Sequence, residues 1–340
     1  MSRARDIADL SSVSARLDTV GGSEGALSNR NVIQNGAMQC WQRGTSFSAA
    51  SAAYNADRWS VDNNGGGGGQ STDAPDGFTY SLKVNPSSGS SVIRQAIELP
   101  AAGEGGVFRS GQKFTLSFYL KSDNAGEAIN IFAASGTNVN ATTTAQVNDT
   151  STGLTTTTSW TRYTYTFTSN NVGGSDTCYN IVPYISSPSG DTYWTGVQLE
   201  LGDTATDFEH RSYGDELLRC QRYYQETSNA TNYSMVGDGT CQTSVVSILF
   251  DYLCEMRTSP SISALGTNGS SSWYIQSGST TISTASSAFN GAWAAGTNSQ
   301  RSWMDWTGIS GQTASNTAAV YRNNQSTSNK NGCLAFDAEF

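Results

Sequence analysis

The sequence predicts an all-β fold: a short N-terminal helix, a jelly-roll β-sandwich, a connecting helix and a C-terminal β-sandwich-like domain. Three observations lead there. Phe114, Leu116, Phe118 and Leu120 alternate with Thr115, Ser117 and Tyr119, the period of a strand with one core face. Such runs recur without helical periods between them, separated by polar turn-rich segments, as in a sandwich or jelly roll. Only 14% of the 340 residues are charged, yet eight Trp, fifteen Tyr and twelve Phe supply the apolar area a packed core needs.

The elements follow in chain order. Residues 1–28 are expected to form a helical attachment or oligomerisation segment. Leu10, Val13, Leu17 and Val20 keep helical spacing, with Ile7 one step earlier, and Gly21-Gly22 ends the run. The pattern fits a helix packed on its own domain or a frayed tail as well as a short trimeric bundle or a docking peptide. Residues 29–208 are assigned to the jelly roll. Val32-Ile33 are predicted to open it as a strand that Gly36 turns. Gly65 to Gly69 read as a flexible surface loop, since successive glycines favour neither strand nor helix. No Lys-Ser/Thr follows them, so they are not a phosphate loop. Further strands are expected around Tyr80–Val84, Val92–Leu99, Ile129–Ile131, Tyr163–Phe167 and Ile181–Ile185. Residues 136–159 fit a long loop or a polar edge strand.

The stretch Tyr193–Gln225 reads as strand, turn and helix. Val197, Leu199 and Leu201 alternate with Gln198 and Glu200, which predicts one buried and one wet face. Gly202-Asp203 is the turn. Ser212 is a candidate N-cap with Asp215 three residues on. Asp215 and Glu216 lie in the first turn, Arg219 and Arg222 near the end, an order that suits the helix dipole. Leu217, Cys220 and Tyr224 are predicted to pack on a β surface. Residues 209–228 thus form the connecting helix. Residues 229–340 form the second β domain, with strands at Val245–Phe250, Trp273–Ile275 and Leu334–Phe336 and a turn at Thr258–Ser261. Phe289, Trp293, Trp303, Trp306 and Tyr321 are set among Ser, Thr and Asn, as core or subunit-interface anchors or as an exposed binding tip.

Composition excludes several functions. A net charge of −9 argues against a nucleic-acid partner, and against an anionic glycan held by charge alone. No stretch approaches the roughly 20 apolar residues of a membrane span, and MSRARDIADL lacks the apolar core of a secretory signal. Synthesis in a reducing cytoplasm is therefore expected, with the six cysteines mostly free and buried. They form no CxxC pair and there is one histidine, so no zinc site is predicted. No metal ligand or cofactor is assigned, and a loop calcium of the kind jelly-roll modules carry is left open, with no EF-hand-like DxDxDG spacing in the sequence. A Ser-His-Asp relay would require His210, in DFEHRSY, where a surface or capping role suits it better. Candidate carboxylate pairs for glycan cleavage are Asp207 with Glu209, Asp215 with Glu216, and Glu98 with Glu200. The first two sit where turn and helix-start roles account for them. No solenoid repeat is present, and the chain reads as non-enzymatic.

Three segments carry a family resemblance: NVIQNGAMQCWQRGTS…YNADRW (31–59), GVQLELG…ATDFEHRSYGDELLRCQRYYQ (196–225) and LAFDAEF (334–340). They resemble bacteriophage tail-fibre-like proteins of marine and cyanobacterial phages. The resemblance implies a virion structural protein, foremost a homotrimeric tail fibre or receptor-binding tip. It would meet other virion proteins through its N-terminus and host surface glycans through its β domains. A head fibre or cement-type capsid protein is the alternative, and a glycan-degrading tailspike the next. The order of β elements is also similar to jelly-roll carbohydrate-binding modules, in which aromatics on a loop or concave sheet hold a sugar. On that likeness Trp41, Tyr54, Trp59, Trp293, Trp303 and Trp306 are the candidate glycan contacts. The competing role for Trp41 and Trp59 is core anchoring, with Arg43 and Arg58 stacked on them or paired with Asp57.

Overall fold

A computed structural model describes residues 29–48, 53–62, 66–99, 107–140, 144–170, 172, 174–227, 235–241, 245–265, 273–277, 280–283, 288–292, 298–307, 315–322 and 333–340. The expected N-terminal helix with Leu10, Val13, Leu17 and Val20 lies outside them, as does Trp293. The chain divides into two units, Met1–Glu216 with Phe340, and Leu217–Glu339.

The strands of the first unit are β1 (Ser46–Phe47), β2 (Ala53–Tyr54), β3 (Ser60–Asp62), β4 (Gly67–Ser71), β5 (Ser81–Asn85), β6 (Ser91–Glu98), β7 (Lys113–Ser122), β8 (Ile129–Gly136), β9 (Thr144–Asp149), β10 (Thr161–Thr168), β11 (Cys178–Ile185) and β12 (Thr192–Leu201). They form two six-stranded antiparallel sheets, ordered β1-β4-β5-β12-β7-β10 and β2-β3-β6-β11-β8-β9. The alternating residues of β7 behave as their period demands. Phe114, Leu116, Phe118 and Leu120 enter the core between the sheets, where they join Trp194 and Leu82 from one sheet and Ile93, Ile131 and Ile181 from the other. The polar stretch near residue 145 supplies the edge strand β9. Phe340 packs with Ala96, Val139 and Cys178.

Three local expectations are corrected. Val32-Ile33 form no strand. The Asn31 amide takes the place of a ladder partner: its Nδ2 donates to Val197 O (3.1 Å) and its Oδ1 accepts from Leu199 N (3.1 Å). Gly67–Gly69 are not a loop but the start of β4, paired with β1 and β5. A Cβ on Gly66 would lie 1.7 Å from Asn85 O, and one on Gly68 2.5 Å from Lys83 O. The glycines are there because neighbouring backbone leaves no room for a side chain. The expected wet face of β12 is dry: Gln198 and Glu200 are buried. The segment after the strand covers them, with Thr206 N donating to Glu200 Oε1 (2.9 Å) and Glu209 N to Gln198 Oε1 (2.8 Å).

The helix α1 spans Tyr213–Gln221, shorter than the 209–228 predicted. Ser212 caps it, its hydroxyl accepting from Asp215 N (3.2 Å) and pairing with the Asp215 carboxylate (2.6 Å). Cys220 is buried as its spacing predicts, while Tyr224 belongs to the next strand.

The second unit contains β13 (Tyr224–Glu226), β14 (Met235–Cys241), β15 (Val245–Asp251), β16 (Ser261–Ala264), β17 (Trp273–Ser277), β18 (Thr280–Ser283), β19 (Ala288–Ala292), β20 (Arg301–Thr307), β21 (Ser315–Arg322) and β22 (Leu334–Asp337). A seven-stranded sheet runs β18-β17-β21-β14-β15-β20-β19 and a three-stranded sheet β13-β22-β16. Val246, Ile248, Met304, Trp306, Val320 and Phe336 form its core. None of the six cysteines is joined in a disulfide, and five are buried. Among the described residues no helix is long and apolar enough to cross a membrane.

Candidate functional site

The loop that follows Asn31 builds a cleft in the first unit. Asn35 has φ 52°, a left-handed conformation that asparagine tolerates. Its Oδ1 accepts from the backbone N–H of Gln39 (2.8 Å) and Cys40 (2.9 Å). Its Nδ2 donates to the carbonyls of Cys40 (2.9 Å) and Asp57 (2.9 Å). One buried amide thus fixes the curve of the whole loop. Gly36 closes it against β12: Val197 N donates to Gly36 O at 2.9 Å.

Trp41 rides on that curve. Its Nε1 donates to Met38 O (2.6 Å), and its ring stacks on Phe47 with centroids 6.1 Å apart. Gln42 is set by Asp57, which accepts from its backbone N (3.0 Å) and from its Nε2 (2.9 Å). Gln70 comes from β4, where its N–H donates to Thr45 O (2.9 Å). Tyr80 precedes β5, and its carbonyl accepts from the Thr195 hydroxyl (2.9 Å). Tyr213 opens α1 and is 56% exposed. Trp41, Tyr80 and Tyr213, together with Gln39, Gln42 and Gln70, line a cleft of about 550 Å³. No ionised side chain lines it among the described residues.

A buried ion network holds the two arms of the cleft together. Arg211 donates to the carbonyls of Ile33 (2.9 Å) and Asn31, and pairs with Glu216 (3.4 Å) and Glu209 (3.5 Å). Glu209 accepts from the backbone N–H groups of Asn31 (2.9 Å) and Asn29, and Glu216 from that of Asn35 (2.6 Å). Burial works against the Glu209 charge, but the N–H groups of Asn31 and Asn29 and the Arg211 guanidinium outweigh it and hold its pKa below the ordinary range.

The other predicted contacts separate by environment. Trp59 is fully buried, with Nε1 donating to Asn35 O (2.9 Å). It anchors the loop from below and presents no face to a ligand, so its assignment as a glycan contact is corrected. Trp306 is fully buried in the core of the second unit and is corrected likewise. Trp303, on β20, is 38% exposed. Tyr54 is half-buried with the Arg43 guanidinium 5.2 Å above its ring, and it does not line the cleft. Arg58 bonds to Gln34 Oε1 (2.8 Å) and Ala96 O. Sequence reasoning missed Gln39, Gln42, Gln70, Tyr80 and Tyr213, since glutamines split between one loop and a distant strand carry no pattern.

Several of the candidate acids have structural partners. Glu209 and Glu216 are tied to Arg211, and Glu200 accepts from Thr206 and Gln198. His210 is exposed and packs against Phe78 (5.1 Å) and Phe208 (4.9 Å). The chemistry on offer in the cleft is stacking on aromatic faces with amide hydrogen bonds around them.

No family model matches the chain, and no curated protein matches it. Solved structures similar to it include a family 16 carbohydrate-binding module, at 18% identity over 39% of this chain and 84% of that one, with a TM-score of 0.27. Another is the apo form of a cyclase from Fischerella sp., at 13% identity over 54% and 98%, TM-score 0.32. A third is the enzymatically active domain of tailspike protein 4 from bacteriophage CBA120, at 12% identity over 51% of this chain and 22% of that chain, TM-score 0.29.

Proposed function

We propose that this chain is a non-enzymatic virion surface protein of a bacteriophage whose first unit binds neutral glycans on the host surface. The cleft carries the glycan part: three aromatics and three glutamine amides meet with no ionised group among them. The C–H face of a pyranose stacks on an aromatic ring, and carboxamides both donate to and accept from its hydroxyls. A volume of about 550 Å³ suits one or two sugar rings. The virion part is supported by the three segments that resemble phage tail-fibre-like proteins. Two of them, 31–59 and 196–225, meet in the Arg211 network and supply Gln39, Trp41, Gln42 and Tyr213 of the cleft. Contacts of this kind are weak singly, so several copies on one fibre would raise avidity. Residues 1–28 would hold those copies together as a trimer and dock them on the virion.

The test is binding of the full chain to an array of neutral oligosaccharides, with Trp41→Ala beside it. Binding by the wild type that falls at least tenfold in the variant is expected. No binding to any neutral glycan would refute the assignment. Release of new reducing ends from a bound polysaccharide would refute its non-catalytic part.

A further inference from the structure

The sheet β2-β3-β6-β11-β8-β9 has a second concavity on the side away from the core. Ile93, Ile131 and Ile181 point inward, so by the strand period their neighbours point outward. Phe132, Val182 and Arg94 accordingly lie side by side across β8, β11 and β6, with Tyr184 next to Val182 along β11. With Asn140 and Asn180 they line a cavity of about 290 Å³, near the lower limit of about 300 Å³ for small-molecule sites.

Its chemistry differs from that of the Trp41 cleft in one respect. Among the described residues Arg94 is the one charged side chain that lines it, and that side chain is 16% exposed. The guanidinium is under-satisfied. One nitrogen donates to Asn140 Oδ1 (2.5 Å) and another reaches Asp62 at only 3.4 Å. Its Nε–H is buried with no hydrogen-bond partner among the described residues. A buried donor without a partner is costly, and more so on a charged group. Burial also disfavours the charge, with Asp62 opposing that effect. An anion at the guanidinium would offset both costs.

The geometry points to a second saccharide site here, for a hexuronate unit whose carboxylate pairs with Arg94 while its ring lies against Phe132 and Tyr184. A guanidinium fork matches a carboxylate in two parallel hydrogen bonds. Asn140 and Asn180 line the same cavity, with Asn140 Oδ1 accepting from Arg94 (2.5 Å) and Asn180 Nδ2 donating to Asn138 O (3.1 Å). The net charge of −9 does not preclude this, because it acts at long range through a screening solvent, whereas Arg94 acts at contact. The site rests on the proposed glycan-binding function only in taking the ligand to be a sugar.

The experiment titrates the full chain with trigalacturonate and, separately, with neutral galactotriose, in the wild type, Arg94→Gln and Trp41→Ala, with melting curves to confirm folding. Trigalacturonate should bind the wild type and Trp41→Ala alike and lose at least tenfold in Arg94→Gln. Arg94→Lys, which keeps the charge without the fork, should fall between. Absence of trigalacturonate binding to the wild type, or undiminished binding to a folded Arg94→Gln, overturns the site. If Arg94→Gln does not fold, Asn140→Ala replaces it, with a loss expected and unchanged affinity overturning the site. Failure of neutral sugars to bind while trigalacturonate binds sinks the Trp41 cleft and leaves this site standing.

Discussion

Trp41 and Trp59 are the same residue type eighteen positions apart, and one lines the cleft while the other is wholly enclosed beneath its loop. Nothing local distinguishes them. The difference is made by Asn35, whose side chain shapes the loop and whose carbonyl receives the Trp59 indole. Two predictions belong at this scale. Gly36→Ala would put a Cβ 2.2 Å from Val197 O, forcing apart the backbone pair that seats the loop. Overpacking of this kind costs about 1–3 kcal/mol, to be read as a lower denaturation midpoint with an unchanged slope. Glu209 has a folded-state pKa below its ordinary value of 4.5. Its stabilising contribution is therefore complete above 4.5 and fades as the pH falls through the lower folded value. Melting temperature against pH should fall less steeply on the acid side in Glu209→Gln than in the wild type. Parallel curves would show that the carboxylate is not coupled to folding.

At the scale of elements, strands declared themselves wherever one face alone met the core. β7 and β10 are legible in the alternation of Phe114–Leu120 and Tyr163–Phe167 because solvent or a polar layer takes the other side. β12 misleads by the same rule: Gln198 and Glu200 are polar yet buried, because the covering segment supplies their partners from several residues further on. β4 was illegible because its reason lies in the backbone of β5, which excludes a Cβ at Gly66 and Gly68. Helix α1 was legible from its cap. Ser212→Ala should cost about 1 kcal/mol and loosen the end of the helix that carries Tyr213. A thermal shift with weaker sugar binding is the expected pair of readouts.

For the whole molecule, the sequence gives a workable list of aromatic candidates but not the site, since the cleft is assembled from residues 39–42, 70, 80 and 213. Their meeting follows from sheet order, which no local pattern encodes. The expected trimer has its own test: Leu10→Asp with Leu17→Asp should lower the sedimenting mass while circular dichroism stays unchanged. An oligomer that persists in the variant would remove residues 1–28 from assembly. The Arg211 network has a mechanical consequence as well. It ties residues 29–35, where the described part of the first unit begins, to residues 209–216, where that unit ends. A pull applied between these two points would load this staple of charged hydrogen bonds before it reached the strands. On the proposed virion role, load passed through this chain would strain that staple first and leave the proposed sugar-holding cleft in shape until the staple parts.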